Sequence, residues 1–384
     1  MKMALRWFGP SFDSVNLQSI RQIPGVTGVV TTLPDLAAGQ PWPIKRIQDL
    51  AKMIESQGLQ LHGIESVNIH DSIKAGTDQR DHYIDIYRQT LRNLATVGVD
   101  LVCYNFMPVF DWTRTDLAKV REDGSTVLAY DQQILETYKP DQMLHEMGKK
   151  SNDFLLPGWE PERLGEIREL LGMYRNLTEE HLFQNLVYFL EAIIPICEET
   201  GIRMAIHPDD PPWSVFGLPR IVKNRRDLER VLGAVDSPYN CATLCTGSLG
   251  SNPDNPLVDI IRSLGNRIAF AHVRNLRHTA PGVFEEAAHF SSDGSFDLYA
   301  IMEALYDVGF DGVIRPDHGR AIWNEVSLPG YGLYDRALGS QYLLGIWDSL
   351  LHTKTKKKRI SVRNPAKIIS AANIFAVEKE GSHA

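Results

Sequence analysis

The sequence predicts an α/β chain folded as a single (β/α)8, or TIM, barrel. Three observations carry that expectation. Eight short apolar runs, several rich in Val and Ile, punctuate the chain; runs without clean alternation suit strands covered on both faces, as in parallel sheets. Helical patterns lie between most of them. Helix gives way to strand through glycine repeatedly, as GLQLHGI, GVDLVCY, GIRMAIH and GFDGVIR, which is the rhythm of βα units, and eight such units favour a closed barrel.

In order, the first strand is expected over residues 5–9 (LRWFG) and the second over 28–33 (GVVTTL), followed by a helix over 44–58. The third strand, 61–67, precedes a helix over 81–98 that ends at Gly98, a common helix stop. The fourth strand is 101–108 (LVCYNFMP). A long excursion at about 109–177 then separates it from the rest, and reads as an inserted helical loop region; insertions at the carboxyl end of a barrel can cover the active site. A helix over 178–201 leads to the fifth strand, 203–208 (RMAIHP). The sixth, seventh and eighth are 240–247, 268–276 and 312–319, with a helix over 296–310 before the last. No G-x-G-x-x-G follows an early strand, which counts against an open dinucleotide-binding sheet.

The chain has 384 residues, which suits one barrel of roughly 250 residues plus insertions. We place the barrel domain at 1–351 and a basic tail at 352–384. The tail begins with KTKKKR (354–359), read as a solvated basic run, and ANIFAVE (372–378) has no assigned place. The tail carries +6 of a net charge of −8, leaving −14 for the rest. So acidic a body excludes a general nucleic-acid platform, because phosphate binding needs clustered Lys and Arg. No apolar stretch is long enough to span a membrane, and no signal-peptide pattern opens the chain. Four cysteines in a chain of this length do not make a disulfide framework, so a reducing, cytoplasmic setting is expected.

Active sites in this fold sit at the carboxyl ends of the strands. There, four successive strands offer His207, Cys245, His272 and Asp317. A lone histidine at a strand end is more often a hydrogen-bonded structural residue, and a lone cysteine more often a small core hydrophobe. Four at corresponding positions form a mixed N/S/O set that suits one first-row divalent ion and argues against magnesium or calcium. Cys103, Cys197 and Cys241 keep the core reading. On the first four strands the candidates are Arg6, Trp7, Glu65, His70, Tyr104 and Asn105, of which Trp7, His70 and Asn105 are read as substrate contacts. Asp317 and His318 are adjacent and reach one site only if the backbone turns there, which Gly319 would make cheap.

The combination resembles the D-mannonate dehydratase family, whose members have a xylose-isomerase-like barrel. The resemblance runs from MALRWFGP through LHGIESVNIHDSIK, YNFMPVFDWTRTDL, AIHPDDPP and RPDHGR to GYGLYDRALGSQYLLG, about the first 350 residues. It implies dehydration of D-mannonate to 2-keto-3-deoxy-D-gluconate in hexuronate catabolism, one divalent ion (Mn2+ or Fe2+), and a cytoplasmic homodimer or higher homo-oligomer. It puts the metal ligands on His207, Cys245, His272 and Asp317, and catalysis on His318 with a tyrosine of GYGLYD, Tyr331 rather than Tyr334. The chemistry agrees. The C2 proton is weakly acidic beside a carboxylate, and hydroxide at C3 leaves poorly without an acid. Arg274 and Arg320 are the expected partners of the substrate carboxylate. The alternatives are a metal-dependent sugar isomerase or epimerase on the same barrel, a zinc-dependent barrel endonuclease, and a metal-free binding relative.

Overall fold

The structure, a computed structural model, describes residues 1–138 and 167–362. The chain opens with β1 (Lys2–Arg6), β2 (Val26–Thr31), β3 (Gln60–Glu65) and β4 (Leu101–Tyr104). The excursion contributes β5 (Asp116–Val120) and β6 (Thr126–Asp131). Then come β7 (Arg203–Ile206), β8 (Asn240–Cys245), β9 (Ile268–His272), a hairpin of β10 (Asn275–Ala280) and β11 (Val283–Ala287), and β12 (Val313–Arg315). The barrel closes in the order β1-β12-β9-β8-β7-β4-β3-β2, with parallel pairing between neighbours. All eight expected runs overlap barrel strands. β4, β8 and β9 are buried at every position, as strands covered on both faces must be.

The barrel is filled by an apolar layer that includes Ala4, Val30, Leu101, Cys103, Ala205, Cys241, Phe270 and Val313. Side chains in a strand alternate faces, so the residue two positions on looks into the same interior. Two positions beyond this layer stand Arg6, Asn105, His207, His272 and Arg315; two and four beyond Cys241 stand Thr243 and Cys245. The apolar floor thus gives way to a polar ring at the carboxyl ends. Register aligns that ring. Cys245 pairs with His272, His272 pairs with Arg315, and the His207 N–H donates to Tyr104 O at 2.6 Å.

Around the barrel, the expected helices are present as Ile44–Ser56, Arg80–Ala95, Glu179–Thr200 and Leu298–Asp307. The longest expected one starts with a capping box between Thr178 and His181 and stops at Gly201, whose φ of 76° closes the helix in the left-handed region. The final helix, Leu333–Val362, runs through the domain boundary expected at 351 and carries the KTKKKR run, so this part of the tail begins as helix. ANIFAVE lies outside the described residues.

Two expectations are corrected. The insertion is not wholly a helical loop: β5 and β6 form an antiparallel hairpin. The seventh run, 268–276, is not one strand: it leaves the barrel after His272 and re-enters at Asn275 as β10 of a second sheet, ordered β10-β11-β6-β5. Backbone bonds between Thr126 and Ala321 tie this sheet to the loop after β12. The β5–β6 hairpin of the insertion and the β9 excursion therefore form one layer, and the insertion and the excursion deliver Arg114 and Glu286 to the site. The part of the insertion at 139–166 lies outside the described residues.

Candidate active site

At the carboxyl end the polar ring lines a cavity with about 650 Å³ of empty space, part of it open to solvent. Its walls include Arg6, Phe8, Glu65, Tyr104, Asn105, Trp112, His207, Asp210, Arg274, Arg315, Asp317, His318 and Tyr331.

One wall carries soft and nitrogen donors. One ligand atom each of His207, Cys245 and His272 lies within 4.8 Å of the others. His207 Nε2 and His272 Nδ1 face each other at 3.2 Å. The Asp317 carboxylate approaches Cys245 Sγ to 3.6 Å and His272 Nδ1 to 3.9 Å. Burial, with the Asp317 carboxylate next, pushes the Cys245 thiol up to about 12. Burial, then Arg315, keeps the His272 imidazole neutral, and its Nε2 has no hydrogen-bond partner. Two imidazole donors and a thiol converge beside a carboxylate, and a divalent ion is what this mixed donor set suits, so the residues fit one. Ser248 supports the sulfur, its Oγ and N–H donating to Sγ at 3.0 and 3.4 Å. A second group of donors, Glu65, Cys103 and His272, shares His272.

Behind this wall stands a buried network of arginines and carboxylates. Arg274 is held at every nitrogen: Nε to Asp317 at 2.6 Å, Nη2 to Asp210 at 2.9 Å, and Nη1 to Glu286. Arg114, from the insertion, pairs with Asp210 at 2.7 Å and Glu286 at 3.3 Å. Arg315 pairs with Glu65 at 2.8 Å and Asp317 at 2.7 Å. Burial alone would raise these carboxyls. Arg315, His272 and Arg6 instead hold Glu65 down at about 2; Arg274, His318 and Arg114 hold Glu286 at about 2; and Asp210 and Asp317 are likewise held well below the usual range. A carboxyl with a depressed folded-state pKa adds stability above its unfolded pKa and loses it as pH falls through the folded one. The thermal midpoint is therefore expected to fall steeply as pH drops from about 4.5 toward 2, each such carboxyl accounting for up to about 3 kcal/mol. Calorimetric scans across that range check this; a midpoint flat to pH 3 would contradict it.

The third feature is a proton-handling pair. His318 Nδ1 contacts Glu286 Oε1 at 3.0 Å, and Nε2 contacts the Tyr331 hydroxyl at 3.1 Å. An ionised Glu286 can only accept, so Nδ1 must donate; in the neutral imidazole that tautomer puts the lone pair on Nε2, where it accepts from Tyr331. Burial pushes the Tyr331 hydroxyl up to about 12, so it stays protonated at neutral pH. Asp317 and His318 reach the same cavity because the chain turns between them. The turn falls on Asp317 itself, at φ 61°, not on Gly319 as expected. Gly319 is needed for space, since a Cβ would come within 3.2 Å of Arg336 and Asp335.

Of the residues expected from sequence, His207, Arg274, Asp317, His318, Tyr331 and Asn105 line the cavity. Cys245 is fully buried behind it. The remaining expected contacts are not brought there. Arg320 turns away to a bidentate pairing with Asp335. His70 caps the helix Asp71–Ala75 through Ser72 N and stacks on Tyr83. Trp7 points out of the barrel, where its indole donates to Val15 O at 3.0 Å. Tyr334 is 42% exposed and packs against Trp323, away from His318. The sequence reading missed Glu286, Arg114 and Asp210. The dipeptides Pro281-Gly282 and Asp123-Gly124, turn signals between strand-like runs, would have marked the two hairpins that frame Arg114 and carry Glu286.

With this geometry in hand, comparison with known proteins gives a consistent result. The family described as D-mannonate dehydratase (UxuA) matches residues 1–358. A mannonate dehydratase of Brachyspira hyodysenteriae is 61% identical over 350 residues, covering 91% of this chain and 99% of its own. One from Enterococcus faecalis is 55% identical over 359 residues, covering 94% and 100%. The crystal structure of mannonate dehydratase from Streptococcus suis superimposes with a TM-score of 0.84 at 41% identity, covering 92% of this chain and 96% of that one. A D-tagatose 3-epimerase-like protein, at 12% identity and a TM-score of 0.52, shares the fold.

Proposed function

The chain belongs to the D-mannonate dehydratase family, and from that premise we propose how its own residues carry the reaction. The enzyme is a hydro-lyase that converts D-mannonate to 2-keto-3-deoxy-D-gluconate and water. The C2 proton and the C3 hydroxyl leave, and the resulting enol rearranges to the ketone. The reading of roles rests on one observation: His207 and Asp317, with Cys245 and His272 buried behind them, line the same cavity as the His318–Tyr331 pair, and His318 Nε2 stands 3.8 Å from Asp317 Oδ1.

His207, Cys245, His272 and Asp317 are assigned the metal. With a divalent ion bound, these residues would bring to the site positive charge that makes the C2 proton easier to remove. His318, with its Nε2 lone pair facing the cavity, takes that proton. Tyr331, kept protonated, gives its own to the departing C3 hydroxyl. The 3.1 Å contact between them then lets the proton taken from C2 pass to the phenolate, which restores both groups and leaves one water as the second product. Glu286 holds His318 in the tautomer this needs, and Trp112 and Phe8 screen the cavity from solvent. Four buried free thiols suit the cytoplasm. Among the described residues no helix is long and apolar enough to cross a membrane. A homodimer follows from the family resemblance, and light scattering would test it.

The mixed N/S/O ligand set favours Mn2+ or Fe2+ over magnesium. Formation of 2-keto-3-deoxy acid from a panel of aldonates and hexuronates tests the whole reading. D-Mannonate is expected to be the preferred substrate, activity to vanish in excess chelator, and Mn2+ or Fe2+ to restore it better than Mg2+. Full turnover in chelator by metal-free protein would overturn the metal assignment.

A further inference from the structure

The cavity holds one cation that the protein does not satisfy. Arg114, Arg274 and Arg315 are each engaged by two or more carboxylates. Arg6, at the end of β1, is 5% exposed and lines the same cavity; among the described residues its guanidinium has no hydrogen bond or ion pair, and its Nη1 is buried without a partner. The side chain is nonetheless fixed. Its Cζ lies 4.5 Å from the centre of the Phe8 ring, which supports the flat face of the guanidinium and leaves its N–H edge to the cavity. A buried arginine almost always has a carboxylate or carbonyl on that edge, because an unpaired buried charge is costly. Its empty place is therefore a place for an anion.

We propose that Arg6 is the clamp for the substrate's carboxylate, in place of Arg274 and Arg320. The inference rests on the aldonate reading above and deepens it. Three arguments converge. Every nitrogen of Arg274 is already engaged by a carboxylate, and Arg320 lies outside the cavity. The Phe8 ring that carries the Arg6 guanidinium also meets the Tyr331 ring edge-on at 4.8 Å, and Arg6, Glu65, Arg315 and Tyr331 line the same cavity. Carbon 2 is bonded to the carboxylate carbon, so the group that grips the carboxylate must stand beside the residues that move the C2 proton; Tyr331 is such a neighbour. Glu65 Oε2 is also buried and without a partner, and it supplies the complementary acceptor for a sugar hydroxyl near the same end. A planar guanidinium matches a carboxylate through two parallel bonds. The clamp also explains why a strongly acidic protein can take an anionic sugar, and it gives the site a means of rejecting a neutral one.

The test is Arg6→Met and Arg6→Lys in the metal-loaded enzyme. KM and kcat are measured for D-mannonate, Kd by calorimetry for D-mannonate and for the neutral D-mannitol, and the thermal midpoint for each variant. Arg6→Met is expected to raise KM and the D-mannonate Kd by about 30- to 100-fold, the usual worth of a charge-assisted pairing. Its kcat should fall no more than about tenfold and its D-mannitol affinity should not change. Arg6→Lys should recover most of the lost affinity. The midpoint of Arg6→Met should be equal to or above that of the parent, since a buried charge with no partner is removed. D-Mannonate affinity within about threefold of the parent, or a lowered midpoint with equal loss of both ligands, overturns the clamp. If the parent turns over no aldonate, the function reading fails, and the calorimetric ratio of the two ligands still reads Arg6 by itself.

Discussion

His318→Asn is expected to keep its metal and to bind D-mannonate, yet to turn it over at least about a hundredfold more slowly, the typical worth of a positioned acid or base. The structure sharpens this expectation beyond a single variant. His318 Nε2 and the Tyr331 hydroxyl are 3.1 Å apart, so the two side chains share a proton path and should fail as a unit. Tyr331→Phe removes the same path from its other end and should cost a similar factor. The double variant should then fall no more than about tenfold below the weaker single one, because residues that act together are strongly non-additive. Asparagine is small enough for the site and leaves Glu286 with Arg274 and Arg114 as partners, so the fold is expected to survive. Metal content and the far-ultraviolet spectrum check that. A His318→Asn protein with near-normal kcat would remove the residue from the mechanism. Losses that multiply fully in the double variant would mean that the two act independently.

The residues of this site differ in how far a sequence can announce them. His207, Cys245, His272 and Asp317 were legible because each follows a buried apolar strand, and the fold rule fixes which end of such a strand is chemical. Position along the strand separated Cys245 from Cys241: both face the barrel interior, but Cys241 lies nearer the amino end in the apolar layer and Cys245 in the ring above it. The network behind the ring was not legible. Glu286 meets Arg114 across 172 residues, and nothing local in either segment points to the other. Arg315 and Arg320 flank the same Pro-Asp-His-Gly segment and look equivalent in sequence. Only the backbone turn at Asp317 sends one into the cavity and the other to Asp335. Arg6 and Trp7 show the same limit: they are neighbours on one strand, and a shift of one residue exchanges the interior face for the outer one.

Cys245→Ser should weaken retention of the metal by at least about a hundredfold, beyond the 10- to 100-fold typical of residues that merely support a ligand. An anionic thiolate would be exchanged for a neutral hydroxyl, which is both a poorer donor to a first-row ion and one negative charge short. The surroundings amplify the loss. Cys245 is fully buried, Ser248 donates to its sulfur from both Oγ and N–H, and the Asp317 carboxylate stands 3.6 Å away. A site built around a charged sulfur has donors aimed at it that a hydroxyl will satisfy less well. Cys241→Ser makes the same chemical change four residues earlier. There the thiol donates to Pro238 O at 3.1 Å, its one hydrogen bond among the described residues, and packs in the apolar layer, so that variant should hold metal as the parent does. Competition against a chromophoric chelator, together with metal content per chain, reads both variants without relying on turnover. Loss of metal from Cys241→Ser with retention in Cys245→Ser would show that the wrong sulfur has been assigned. Equal retention in both would leave the ion to His207, His272 and Asp317, a two-histidine, one-carboxylate set that suits Fe2+ without a sulfur ligand.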